Sequence, residues 1–205
     1  LVEQMQATAF VAHPYQIPVI GWPSDIEGWK VEDLQAFYKQ FYAPNNAILV
    51  IAGDVDAKEV RPMVEKAYGG IPAQPAISAN RIRPQEPVPA APRTVTLSDP
   101  RVEQTGLRRY YLVPSSTTAA AGEGPALDVL AQLMGGGSNS YLYRALVIDR
   151  QFAVSAGAGY QGTSLDPSQF SISVSPKPGV EFSQVEQAID GVIAEMILNP
   201  ARAED

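Results

Sequence analysis

The sequence contains no cysteine and a single histidine, His13. The first absence removes disulfides, thiolate nucleophiles and cysteine metal sites from consideration. A hydrolytic metal centre needs several nitrogen or carboxylate ligands converging on one point, so a lone histidine beside Pro14 and Tyr15 is expected to be structural. Basic charge is also scarce: 15 Lys and Arg against 22 Asp and Glu leave a net charge of −7. Nucleic-acid binding wants a basic face, so no nucleic-acid partner is expected. No apolar run approaches the ~20 residues that span a bilayer as a helix, and no signal-peptide pattern is present. Ser, His and Asp all occur, which leaves a triad open by composition, but there is no G-x-S-x-G elbow. Gly135-Gly136-Gly137-Ser138 lacks the lysine that a Walker phosphate loop requires. Carboxylates are scattered along polar helix faces, where solvated surface is the default reading. Taken alone, the chain carries no complete active site.

What is present fits a globular protein. The 205 residues are 45% hydrophobic and 18% charged, enough for a core and for one large or two small domains. The 18 prolines are unevenly placed. They crowd into residues 71–92, IPAQPAISANRIRPQEPVPAAP, too dense for a helix or central strand and poor in side chains to bury. This stretch is expected to be a semi-rigid linker between residues 1–70 and 93–205.

Before the linker, residues 1–12 resemble the tail of a helix, stopped at His13-Pro14. Leu34, Phe37, Tyr38 and Phe41 recur at helical spacing. The apolar run Ala47–Ala52 fits a strand buried on both faces. Asp56-x-x-Glu59 opens a further helix with Val60, Met63, Val64 and Ala67 as its stripe, Pro62 as a local distortion and Gly69-Gly70 at its end. After the linker, strands are expected at Arg93–Leu97 and Glu103–Val113, and a helix from about Pro125 carries Leu127, Leu130, Leu133 and Met134 inward. A helix at Tyr141–Asp149 follows, then antiparallel strands at Ala153–Tyr160 and Gln169–Ser175. Ser183-x-x-Glu186 is read as the capping box of a last helix, with Val185, Ile189, Val192, Ile193 and Met196 as its buried stripe. Similar strand-loop-helix units before and after the linker hint at internal duplication. The fold class expected is α+β, with two related α/β sandwich domains and the first truncated at its N-terminus.

The stretch with the strongest functional colour is Met134-Gly-Gly-Gly-Ser-Asn-Ser140. One glycine suffices for a helix C-cap, yet three stand here. A flexible helix-helix turn and a loop lying against a ligand's backbone both account for them. Gly135, Gly136, Gly137, Ser138 and Asn139 are therefore the candidate substrate-binding residues.

Three segments together resemble the M16 metallopeptidases. AHPYQIPVIGWPSDIEGWKVEDLQAFYKQFYAPNNAILVIAGDVD is similar to the stretch that follows that family's zinc site. The glycine loop, with its YLYRAL helix and AVSAGAGY strand, is similar to the family's second domain. The resemblance implies a zinc peptidase in which an inverted His-x-x-Glu-His helix and a more distant glutamate hold the metal, and the motif's own glutamate activates water. None of those residues is in this sequence. The motif is expected upstream of Leu1 in a longer parent, and Glu3 lies out of register with the third ligand. No catalytic and no metal-binding residue is therefore assigned in this chain, and the zinc implied for the parent is not expected on it. The resemblance also implies an Arg and a following Tyr that bind the substrate backbone in one half of the enzyme. Those positions fall on Val147 and Val154, while Arg144, Arg150 and Tyr160 are out of register. That departure favours the zinc-bearing half. The implied partners are a peptide substrate and a second M16-type half. A non-catalytic, peptide-binding subunit of such an assembly is the alternative. The isolated chain is expected to self-associate through its unpaired strand, and a bacterial periplasmic setting is expected over a cytoplasmic one.

Overall fold

The computed structural model describes residues 1–77 and 82–200. In chain order the elements are α1 (Val2–Ala9), α2 (Pro23–Gly28), α3 (Val31–Phe41), α4 (Ala57–Tyr68), β1 (Leu107–Val113), α5 (Glu123–Gly135), α6 (Tyr141–Tyr143, continued as a π-helical turn over Arg144–Asp149), β2 (Ala153–Tyr160), β3 (Ser168–Pro176) and α7 (Phe182–Leu198). The mixed helix-and-sheet class expected from the sequence is what the chain adopts. It divides into two compact units: Leu1–Ala12 with the chain from Gln85 onward, and His13–Pro84.

The larger unit holds the core. Its three-stranded antiparallel sheet has the order β1-β3-β2. Alternation in β3 sets its faces: Phe170, Ile172 and Val174 are buried, while Ser171, Ser173 and Ser175 between them are not, as a half-covered strand requires. The register places Tyr111 opposite Phe170 on one side and Ala158 opposite Ile172 on the other. A shift between Ala153 and Ser155 bends the start of β2. Leu142 and Leu146 of α6, Ala131 and Met134 of α5, and Val185, Ala188, Ile189 and Val192 of α7 close over this face as one hydrophobic cluster.

Two local findings differ from the sequence reading. The last helix begins at Phe182, with Gln184 Oε1 accepting from the Glu181 N–H at 3.0 Å. Its capping pair is thus Glu181/Gln184, two residues before Ser183/Glu186. The helix after the glycine loop leaves the α pattern: Arg150 N–H donates to Ala145 O at 3.2 Å, an i→i−5 bond. Gln151 then takes a positive φ of 55°, and Phe152 N–H donates to Leu146 O at 2.9 Å. The wide turn and the left-handed residue together turn the chain from α6 into β2.

The first strand expected after the linker, Arg93–Leu97, is not formed, and β1 starts at Leu107 rather than Glu103. Glu86 within the proline-rich stretch and Arg93 just after it are instead tied to the residues after α1 and to α1 itself. The Glu86 carboxylate accepts from Val11 N–H and Ala12 N–H at 2.8–2.9 Å, and the Arg93 guanidinium donates to Thr8 O at 2.7 Å.

In the smaller unit α3 and α4 form at the predicted positions. Asp56 caps α4 by accepting from Lys58 N–H at 2.6 Å. Gly69, which ends α4, is right-handed (φ −64°), so its role is not that of a left-handed cap. Gln74 is held to the turn after α3 by paired bonds with Asn45 at 2.9 and 3.0 Å, and its Nε2 donates to Lys39 O in α3 at 3.0 Å. The apolar run at Ala47–Ala52 is the main correction. Among the described residues it forms no strand, and it is exposed. Leu34, Phe37, Tyr38 and Met63 are exposed as well. Hydrophobic periodicity predicts which face will seek cover, and within this unit that cover is not supplied.

Candidate functional site

The glycine run sits where α5 ends against β2, and each glycine has its own reason. A Cβ added at Gly135 would lie 1.8 Å from Ala158 N and 2.4 Å from Gly157 C. Only a residue without a side chain lets the last turn of α5 approach the strand backbone so closely. At Gly136 a Cβ would meet Gln132 Oε1 at 1.7 Å and Gln132 O at 2.7 Å, while its N–H closes the helix on Gln132 O at 2.8 Å. Gly137 has open space around it but a φ of +152°, which side-chain-bearing residues rarely adopt. Its carbonyl accepts from both the N–H and the Oγ of Ser140, at 3.1 and 2.6 Å. Ser140, at the N-cap position of α6, is buried, whereas Gly136, Gly137, Ser138 and Asn139 are exposed. The three-glycine run is thus accounted for by helix end, close strand approach and tight turn. What it leaves at the surface is backbone plus Ser138 and Asn139.

The two positions where the M16 resemblance expects substrate-binding donors carry none. Val147 packs against the core, and Val154 is 45% exposed at the start of β2. The nearby polar groups have other places. Arg144 is exposed. Arg150 reaches toward α7, its Nη2 lying 3.6 Å from where a Gly191 Cβ would stand. Tyr160 donates its hydroxyl to Pro114 O at 2.7 Å. A shallow surface depression lies beside Tyr160, lined by Tyr110, Gly159, Gln161, Gln169 and Ser171.

A charged cluster that sequence reasoning passed over joins β1 to α7. Arg109 pairs with Asp190 and donates to Tyr111 Oη at 3.4 Å. Burial pulls the Arg109 guanidinium down, and the bonds to Asp190 and Tyr111 outweigh it and leave its pKa raised. The i, i+2 spacing of Arg109 and Tyr111 on one strand face was the available signal.

His13, the sole histidine, is buried. Its Nδ1 accepts from Tyr15 N–H at 3.1 Å and its ring packs edge-on to Tyr15 at 4.2 Å, so it caps the 3₁₀ turn Pro14–Gln16. Among the described residues no three His, Asp or Glu side chains stand together in a way that could hold a metal ion. The described residues do not fit a zinc centre.

A family profile for the Peptidase M16 inactive domain matches residues 28–205. The chain belongs to the M16 peptidase family. Zinc protease PqqE of Helicobacter pylori is 26% identical over 189 residues, covering 92% of this chain and 42% of that protein. The crystal structure of a protease from Helicobacter pylori superposes with a TM-score of 0.83 at 24% identity, over 98% of this chain and 48% of the other. A peptidase M16 inactive domain from Pseudomonas fluorescens gives a TM-score of 0.75 at 19% identity, over 99% and 47% of the two chains. These structural likenesses show the M16 fold. The chain spans less than half the length of the curated relatives it matches, and those relatives are bacterial proteins named as zinc proteases.

Proposed function

We propose that this chain is the C-terminal part of the zinc-bearing half of a bacterial M16 metallopeptidase. The parent cleaves peptides or small proteins in a chamber closed by a partner half. The observation that carries this reading is the match of residues 28–205 to an M16 domain, in a chain whose relatives are zinc proteases of more than twice its span. In this reading residues 1–70 complete a first M16-type domain and residues 93–205 form a second. Apolar residues at Val147 and Val154 speak for the zinc half, because the substrate-gripping Arg and Tyr belong to the other. The exposed backbone of Gly136 and Gly137, with Ser138 and Asn139, forms part of the chamber wall, and Gly135 holds it to β2. On its own the 205-residue chain is inactive and self-associates.

The test is peptide hydrolysis by the full-length parent with its partner, compared with this chain alone. Cleavage by the former, abolished by a chelator and absent from the latter, supports the reading. A parent gene without His-x-x-Glu-His upstream of Leu1 overturns it in favour of a non-catalytic, peptide-binding subunit. Asn139→Ala probes the wall cleanly, since it removes only exposed atoms. A bulkier residue at Gly136 would collide with Gln132 and disturb the fold itself.

A further inference from the structure

The end of α1 is gripped from a distant part of the chain. Past the cap residue Phe10, which is extended at φ −113° and ψ 124°, the N–H groups of Val11 and Ala12 stand outside any helix or strand. Both donate to one carboxylate 74–75 residues further on: Val11 N lies 2.9 Å from each oxygen of Glu86, and Ala12 N 2.8 Å from Oε2. One turn back, the Arg93 guanidinium donates to Thr8 O at 2.7 Å. The last carbonyls of a helix have no partner within it and carry the negative end of its dipole, and α1 has no basic residue of its own in that turn. Arg93 supplies the missing charge. Acid and base thus take the two kinds of backbone group that a helix end leaves over. All of these residues belong to the larger unit.

The segment that carries Glu86 and Arg93 suits the task. Pro84, Pro87, Pro89 and Pro92 fix φ and leave no N–H of their own, so both side chains are presented by a stiff backbone that loses little freedom on being ordered. The start of the segment is tied to the same unit: Gln85 Nε2 donates to Asp166 Oδ1 at 3.2 Å, and Asp166 is buried in the connection between β2 and β3. We propose that residues 85–93 are a clasp on the end of α1, with Glu86 and Arg93 as positioning residues that set the direction of that helix on the larger unit. The proposal rests on the reading above, in which the parent's catalytic residues stand N-terminal to this chain and are joined to the larger unit through α1. A helix held at its end by an acid and a base together is fixed in direction; released there, it turns about its last residues. A misplacement of about 1 Å at a reacting group costs about a hundredfold in rate. Glu86 and Arg93 therefore act through α1 and not on the substrate.

Amide exchange in the 205-residue chain tests the contact, and kinetics of the full-length parent with its partner test the role. Glu86→Ala is expected to speed exchange at Val11 and Ala12 about tenfold or more, the worth of a hydrogen bond to a charged group, with the amides of β1, β2 and β3 unchanged. Arg93→Met, of similar reach but without a donor, is expected to speed exchange at Phe10, whose N–H closes α1 on Gln6 O. Arg93→Lys, which still donates, is expected to restore that protection. In the parent, Glu86→Ala and Arg93→Met are expected to lower kcat about 10- to 100-fold at nearly constant KM, with Arg93→Lys close to wild type. Unchanged exchange at Val11 and Ala12 in Glu86→Ala overturns the clasp. So does faster exchange across the whole sheet, which would make Glu86 a general stabiliser of the fold. A parent whose kcat survives loss of the clasp, or in which KM alone changes, overturns the positioning role. A wild-type parent that cleaves no peptide overturns the functional reading and the positioning role with it, while the exchange results still decide the contact.

Discussion

Gly135→Ala is the sharpest test of how the glycine run works. On an exposed helix, replacing glycine by alanine stabilises by up to about 1 kcal/mol. Here the added methyl would stand 1.8 Å from Ala158 N and 2.4 Å from Gly157 C, roughly half an ordinary contact distance. Both neighbours are backbone in β2, which is tied to β3 along Ala153–Tyr160, so neither can swing aside like a side chain. The end of α5 or the strand must move by an ångström or more, and forcing extra volume into a packed site costs about 1–3 kcal/mol. Net destabilisation of about 2 kcal/mol is expected, since the propensity gain at the helix's last residue is small. For a unit of this size that lowers Tm by roughly 8 °C, read by circular dichroism at one fixed protein concentration. Gly106→Ala is the control, because nothing lies within 4 Å of a Cβ there and its φ is not positive; its Tm should barely change. If Gly135→Ala melts at or above the wild-type temperature, close packing is not the reason for that glycine, and the ligand-loop reading of the run regains its force.

Other expectations follow from single features. Gln151→Gly relieves a left-handed residue at φ 55° and is expected to raise stability by up to about 1 kcal/mol, partly offset by the greater freedom of glycine when unfolded; urea denaturation checks it, and a loss of stability would show that Gln151 is not strained. Leu146→Ala empties a fully buried position in the core cluster and is expected to cost about 2–5 kcal/mol, measured in the same assay; a change under 1 kcal/mol would mean the cluster collapses to fill the space. The Asp99 carboxyl, held by the side-chain and backbone bonds from Arg101, titrates at about 2. Its pKa is depressed on folding, so the interaction is present above the ordinary carboxylate range and lost as pH falls toward 2. Arg101→Gln should return the Asp99 titration, followed by NMR, to ordinary carboxylate values, and an unmoved titration would assign the shift to another cause.

Much of the larger unit was legible because periodicity and environment agree there. Phe170, Ile172 and Val174 alternate and are buried on alternate positions, and the stripe from Val185 to Met196 faces the core of its own unit. Where two signals overlapped, local chemistry decided: Glu181/Gln184 and Ser183/Glu186 both have capping spacing, and the first forms. The π turn at Arg144–Asp149 left no mark in the sequence, since Leu142 and Leu146 have the same spacing in an α-helix. Ala47–Ala52 shows a limit of another kind. Its composition reports a run that seeks burial, but burial is a property of neighbours, and the described residues of 13–84 do not provide them. The glycine run was legible as special but not as to why, because close approach to Ala158 depends on a strand more than twenty residues further along the chain.

Zinc content after metal-free purification and reconstitution tests the central claim most directly. Stoichiometric zinc is expected in the full-length parent and none in the 205-residue chain, whose described residues form no metal site. Tight zinc binding by this chain, or a full-length parent that takes up none, would contradict it.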